Sequence, residues 1–556
     1  MRLDTICYFL LYCCHISYII CHYDKKYNII AYMYKPVILV ILDGYGRGPE
    51  NAANAIFKAK KPNIDFIEKN FPTTNLQASG IAVGLPWGEE GNSEVGHLNL
   101  GAGQIVYQYL PRITFAIRDG SFFEKPALLQ AAEHVKKNNS SLHIIGLIGG
   151  GNVHSHIDHL YAILDFAKKE NIENVFIHTF TDGRDSPPKD ALDFYEKVQN
   201  KLTRDYPFAK IASLIGRHYA MDRDNNWDRI ETTYRLLAES KGEIFPDVKT
   251  AIESDYDKNI TDEFIEPKVI NPPAGGESIK DNDAVVFFNF REDSARQLTR
   301  VFVEENFDKF ERKKINNLYF VTMTRYEKDL PLNVLFETLE IKKMLAKVIS
   351  DAGKKQIHIA ETEKYAHVTY FFNGGIENPF PNEDRTLIPT KRDHKFAEDP
   401  AMSASEITEK IIEAINSKKY DFIVVNYANA DMIGHAGNFQ ATVSAIEVLD
   451  GEIGKVVAEV LKINSVLIIT ADHGNADEKI NLLTGIPSPE HTINPVPFYL
   501  ISNDFKQEKS QEKLEVEKIE VDGILADVAP TILELMGLPQ PSEMTGKSLL
   551  KILAGK

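Results

Sequence analysis

The chain has 556 residues, too long for one hydrophobic core, so at least two domains are expected. Its 43% hydrophobic and 26% charged residues are those of a globular protein, and a net charge of −17 without a basic tract argues against a nucleic-acid partner. All four cysteines, Cys7, Cys13, Cys14 and Cys21, fall near the start; the cysteine-free body needs no oxidising compartment, and a cytoplasmic location is expected.

Residues 5–23 read TICYFLLYCCHISYIICHY, apolar and aromatic but broken by His15, Ser17 and His22. A stretch of about 20 apolar residues spans a bilayer, so a signal anchor is one reading and a transit peptide another. The segment lacks a basic start and a small-residue cleavage site. Met33 stands just before the folded pattern begins. The preferred reading is an N-terminal extension over residues 1–35 placed upstream of the true start, with no membrane association.

From Val37 onward, short apolar runs alternate with amphipathic stretches. VILVIL (37–42), LHIIGLI (142–148), VFIHTF (175–180), KIASLI (210–215), AVVFFNF (284–290), LYFVTM (318–323), FIVVNY (422–427) and VLIIT (466–470) read as strands buried on both faces. Helical patterns lie between them, as over 190–202 and 403–417. This alternation predicts an α/β fold with largely parallel sheets. Two polar, Pro/Gly-rich stretches, 267–283 and 378–400, read as loops, and the second is long enough for a lid.

In open α/β sheets, ligands sit beyond the carboxyl ends of the strands. Here nearly every buried run empties into polar residues. VILVIL runs into Asp43, FIVVNY into Asp431 and His435, and VLIIT into Asp472 and His473. Asp431 and His435 are spaced i, i+4, so one helical face presents both. His491 offers a further imidazole. Single Asp and His residues commonly serve as caps and turn formers, but five at three strand ends point to a site. Mixed carboxylate and imidazole ligands suit Mn²⁺, Mg²⁺ or Zn²⁺. The runs between 142 and 290 deliver His154, Arg184, Asp185, Arg217, Arg223 and Arg291 instead. Guanidinium forks match phosphate and carboxylate, and Lys364 is a further cation. The stretch GEEGNSEVGH (88–97) holds a lone Ser93 among glycines and acids. It reads as a surface turn or as a raised nucleophile; two metals beside the hydroxyl would favour the second.

Long motifs then carry a resemblance. DGYG (43–46), GNSEVGHLNLGAG (91–103), GGGNVHSH (149–156), TDGRD (181–185), IGRHYAMDRD (215–224), ETEKYAHVTYFFNGG (361–375), NADMIGHAGN (429–438), TADHGNAD (470–477) and HTINPVPF (491–498) are similar to the cofactor-independent phosphoglycerate mutases. GILADVAPTILELMGLPQP (523–541) resembles an ending shared by the wider alkaline phosphatase superfamily. The resemblance covers residues 37–550. It implies an alkaline-phosphatase-like three-layer domain over 36–108 and 337–556, holding metal, interrupted by a substrate-binding α/β domain over 109–336.

The resemblance also implies the chemistry. Ser93 would be the serine that carries the phosphoryl group. Asp431, His435 and His491 would hold one Mn²⁺; Asp43, Ser93, Asp472 and His473 would hold the other. Mg²⁺, Co²⁺ or Zn²⁺ could stand in, and no 2,3-bisphosphoglycerate is needed. His154, Arg184, Asp185, Arg217, Arg223, Arg291 and Lys364 would bind substrate. Asp185 would act as acid/base and Lys364 would neutralise transferring charge. The family usually has an arginine where Ser294 stands, so either Ser294 or Arg296 takes part of that phosphate contact or binding is weaker. The implied reaction is 2-phosphoglycerate to 3-phosphoglycerate and back, in a monomer whose partner is the small-molecule phosphoglycerate. A superfamily phosphatase or phosphopentomutase is the alternative.

Overall fold

The computed structural model describes residues 34–271, 277–390, 396–463 and 465–555. The expected N-terminal extension therefore lies almost wholly outside the described residues, and the loops at 272–276 and 391–395 do as well. Two compact units form: Met1–Tyr107 with Glu340–Lys556, and Gln108–Leu339. Among the described residues no helix is long and apolar enough to cross a membrane.

In the first unit, the strand Val37–Leu42 pairs in parallel with Phe422–Tyr427 on one side and Val466–Thr470 on the other. Every residue of these three strands is buried, which is why their sequences run apolar without alternation. Gln356–Glu361 and then Glu383–Ile388 extend the parallel side. Val496–Ile501 runs antiparallel beyond Val466–Thr470, followed by Thr73–Gln77 and Val521–Ile524. Helices cover this sheet with apolar stripes. The helix Phe439–Ile463 buries Ile446, Leu449, Ile453, Val456 and Val460, spaced three or four apart. Ala404–Ser417 buries Ile407, Ile411, Ala414 and Ile415 in the same way.

In the second unit, Leu142–Ile148 pairs in parallel with Val175–Thr181 and Ala284–Phe287. Ala209–Gly216 continues one side and Tyr319–Thr324 with Asn333–Phe336 the other. Lys268–Ile270 is the antiparallel member, and it pairs with the short edge strand Glu243–Phe245.

The expected α/β architecture with largely parallel sheets is what forms, and all eight apolar runs contain strands. The two expected loops need correction. Residues 383–388, EDRTLI, form an edge strand, and Lys268–Ile270 lies within the other stretch. The edge strand Glu383–Ile388 keeps polar residues that face solvent and so lacks the apolar run that marks a central strand, while Lys268–Ile270 is an internal strand of only three residues, too short to show such a run.

Candidate functional site

Four adjacent parallel strands of the first unit end along one edge of the sheet. Asp43 follows Val37–Leu42, Asp431 follows Phe422–Tyr427, Asp472 and His473 follow Val466–Thr470, and Lys364 follows Gln356–Glu361. Ser93 reaches the same place from the first turn of the helix Ser93–Ala102. Asn92 caps that helix, its side chain accepting from the Val95 amide at 3.0 Å. The Ser93 hydroxyl thus sits at the positive end of the helix dipole. Two glycines allow this convergence. A Cβ on Gly44, whose φ is +73°, would lie 2.8 Å from the Asp431 backbone. A Cβ on Gly96 would lie 2.6 Å from the Asp472 carbonyl oxygen.

The Ser93 Oγ lies 2.9 Å from His473 Nε2, 3.2 Å from Asp43 Oδ1 and 2.8 Å from Lys364 Nζ. His473 Nε2 is 3.5 Å from both Asp43 Oδ1 and Asp472 Oδ2. Next to this quartet, Asp431 Oδ1 lies 3.2 Å from His435 Nε2 and 3.3 Å from His491 Nε2, and the two imidazole nitrogens are 3.0 Å apart. Asp431 and His435 do share a helix, Asn429–His435. Lys364 joins the groups, donating to Asp43 Oδ1 and Asp431 Oδ2 at 2.7 Å each.

Both sets fit a divalent cation. Bonds of about 2.1 Å at roughly tetrahedral or octahedral angles hold neighbouring ligand atoms about 3.0–3.4 Å apart, close to the spacings found. Asp472 Oδ2 is buried and makes no hydrogen bond, an acceptor that a cation would satisfy. His97 also comes within metal-ligand distance of Asp43 and Asp472.

The electrostatics are those of buried opposite charges. Burial pushes the Asp43 carboxyl up, but the Lys364 ammonium and His473 outweigh it and hold it below the usual range. Asp431 is held low by Lys364 against the same burial. Burial pulls Lys364 down, and Asp43 and Asp431 more than restore it. His473 rises to about 9, because Asp472 and Asp43 outweigh burial.

The second unit gathers its own cluster at the carboxyl ends of four neighbouring strands. Arg217 is buried and donates to Asp182, to Asp185 and, at 2.9 Å, to His154 Nε2. Burial and then Arg217 push the His154 imidazole down to about 4, so it is neutral and free to accept. Arg223 and Arg291 both pair with Asp293 Oδ2, at 2.8 and 3.1 Å. The Ser294 hydroxyl donates to Asp293 Oδ1 at 3.1 Å. Arg296 points elsewhere, its Nε donating to the Tyr326 carbonyl. Arg184 pairs with Glu263 and is half exposed. The structure therefore brings His154, Asp185 and Arg217 into one contact group and Arg223, Arg291 and Ser294 around Asp293. Asp293 Oδ1 lies 4.0 Å from His154 Nδ1, beyond hydrogen-bond distance, so the two groups are neighbours without a direct bond. Lys364 belongs to the serine set in the first unit.

A family model described as the BPG-independent PGAM N-terminus matches residues 113–328. A 2,3-bisphosphoglycerate-independent phosphoglycerate mutase of Clostridium novyi is 49% identical over 522 residues, covering 93% of this chain and 99% of that protein. The chain belongs to the 2,3-bisphosphoglycerate-independent phosphoglycerate mutase family. The same enzyme of Moorella thermoacetica is 47% identical over 521 residues, covering 93% of this chain and 98% of its own. A crystal structure of Leishmania mexicana phosphoglycerate mutase at low cobalt concentration is similar with a TM-score of 0.55 and 30% identity, covering 94% of this chain and 98% of that one. The protein is thus an isomerase of this family, and it works without bisphosphoglycerate.

Several polar residues at these sites escape a reading of strand ends. His97 lies four residues after Ser93 on the same helix, and that spacing was its signal. Asn426 lies inside a buried strand, and an amide among apolar residues was the mark. Asn475 donates to Asp431 Oδ1 at 2.8 Å and in turn accepts from the buried Lys479. Asp182 and Asp293 carry no signal of their own beside arginines. Only the fold shows that they hold the guanidiniums in place.

Proposed function

We propose that this mutase interconverts 2-phosphoglycerate and 3-phosphoglycerate through a phosphoserine formed on Ser93. Asp431, His435 and His491 would hold one divalent cation, and Asp43, Ser93, Asp472 and His473 a second, with Mn²⁺ the candidate and Mg²⁺, Co²⁺ or Zn²⁺ chemically acceptable. When bound, the cations lower the pKa of the serine hydroxyl and balance charge on the phosphoryl oxygens. The Ser93 oxygen attacks phosphorus in line while the ester bond to glycerate breaks. Asp185 protonates the departing oxygen and later takes the proton from the other hydroxyl. That second oxygen then attacks the phosphoserine, returning the phosphoryl group to glycerate. Lys364, bonded to the Ser93 hydroxyl, balances charge on the group in transit. Arg184, Arg217, Arg223, Arg291, His154 and Ser294 take the carboxylate and hydroxyls of glycerate. The enzyme would act as a cytoplasmic monomer, in keeping with its cysteine-free body.

One observation carries this reading: the Ser93 hydroxyl meets an imidazole, a carboxylate and an ammonium within 2.8–3.2 Å at a helix N-terminus. Rapid quenching with labelled 3-phosphoglycerate, followed by mass spectrometry, should place the label on Ser93. Chelated protein should lose activity in a coupled assay free of 2,3-bisphosphoglycerate and regain it with Mn²⁺ alone. A Ser93→Ala protein that isomerised at the wild-type rate would refute the phosphoserine route.

A further inference from the structure

We propose that His97 and Asn426 are positioning residues of the serine-bearing donor set. They hold one oxygen of Asp43 away from the reaction and steady the Ser93 backbone from behind. The inference rests on the reading that Asp43, Ser93, Asp472 and His473 hold a cation.

Asn426 is fully buried on the strand Phe422–Tyr427, next to Ile41 in register. Its Nδ2 lies 2.7 Å from Asp43 Oδ2 and 3.0 Å from His97 Nε2. Turning the amide over would set its oxygen against a carboxylate oxygen, acceptor on acceptor, so the nitrogen must face Asp43. One hydrogen of that nitrogen goes to Asp43 and the other to His97 Nε2. That ring nitrogen must therefore accept, which leaves the ring hydrogen on Nδ1. Nδ1 points at the Ser93 carbonyl oxygen, 2.9 Å away, and that oxygen can only accept. Each link leaves the next a single arrangement.

Three of the four proposed ligands are touched by this pair. Asp43 Oδ2 is held by Asn426, which leaves Asp43 Oδ1 to face Ser93 and Lys364. The Ser93 backbone is held by His97, and Asp472 Oδ2 lies 3.2 Å from His97 Nδ1. With its hydrogen on Nδ1 and its lone pair on Nε2 turned to Asn426, His97 has no lone pair to offer a cation. It steadies the ligands without being one. Both side chains are wholly buried, so solvation explains neither. Asn426 Oδ1 is buried without a hydrogen-bond partner, so the hydrogen bonds of this amide go to Asp43 and His97. Partners behind metal ligands orient them, and their loss typically lowers affinity or activity about 10–100-fold.

The test uses full-length protein, stripped with chelator and titrated calorimetrically with Mn²⁺. His97→Phe keeps a ring but no nitrogen. It should weaken binding at the serine set and lower kcat, each about 10–100-fold. The KM for 3-phosphoglycerate should stay within about twofold, because the glycerate ligands are untouched. His97→Gln, whose amide can accept from Asn426 and donate to the Ser93 carbonyl, should regain most of both losses. A His97→Phe protein within about twofold of wild type in Mn²⁺ affinity and kcat overturns the proposal. A His97→Gln protein as impaired as His97→Phe overturns it too. Should His97→Phe fail to fold by circular dichroism, Asn426→Ala takes its place with the same expected losses and the same refuting result. An Asp472→Asn protein that binds Mn²⁺ with wild-type stoichiometry and affinity would instead sink the cation reading beneath the proposal.

Discussion

Replacing His159 by leucine should stabilise the protein, and the gain should grow as the pH falls. His159 lies on the helix Ile157–Lys169 of the second unit and is fully buried. Neither ring nitrogen has a hydrogen-bond partner, and the ring packs edge-on against Phe290 at 5.7 Å. Burial, with a smaller push from His156, drives its pKa from 6.5 down to about 3. The folded protein therefore refuses a proton that the unfolded chain accepts below pH 6.5. With more protons bound when unfolded, stability falls with pH through that window and stops falling near the folded value. One pKa unit is worth about 1.4 kcal/mol, so at pH 5 the wild type has lost about 2 kcal/mol on this account. Leucine has no proton to take up and keeps that stability. At pH 7.5 the variant should already gain about 1–3 kcal/mol, because an unpaired buried imidazole is gone. Urea unfolding followed by circular dichroism at pH 7.5 and pH 5 reads both quantities. A stability gap between the two proteins that is the same at both pH values would refute the reasoning.

Two further perturbations probe the sites directly. Gly44→Ala forces a Cβ against Asp431 at a backbone angle that L residues rarely adopt. It should lower kcat about hundredfold in the coupled assay through displacement of Asp431, and wild-type turnover would contradict the packing argument. Arg217→Lys keeps the charge but loses the fork that reaches Asp182, Asp185 and His154 together. It should raise KM for 3-phosphoglycerate by roughly tenfold or more, and an unchanged KM in steady-state kinetics would exclude a substrate role for that guanidinium.

The sequence on its own marks the central strands, because strands buried on both faces read as unbroken apolar runs such as VILVIL and FIVVNY. It also marks Asp43, Asp472 and His473 as polar residues at strand ends, and it places Asp431 and His435 on one helical face. These signals are local, set by burial and by helical period within a few residues. The strand Glu383–Ile388 stayed hidden, since an edge position imposes no apolar run.

What only the tertiary structure decided is neighbourhood. Val37–Leu42 lies between the strands Phe422–Tyr427 and Val466–Thr470, far along the chain, and that assembly sets Ser93 beside Asp43, His473 and Lys364. The same assembly brings Asn426 against Asp43; in the second unit, the parallel pairing of Leu142–Ile148, Val175–Thr181 and Ala209–Gly216 lets Arg217 meet His154 while Arg184 turns to Glu263. A residue's chemistry is written in its side chain, but its partners depend on contacts between distant segments. Those contacts arise only when the sheets assemble, because long-range pairing is fixed by the packing of the whole core and leaves no periodic trace in the chain.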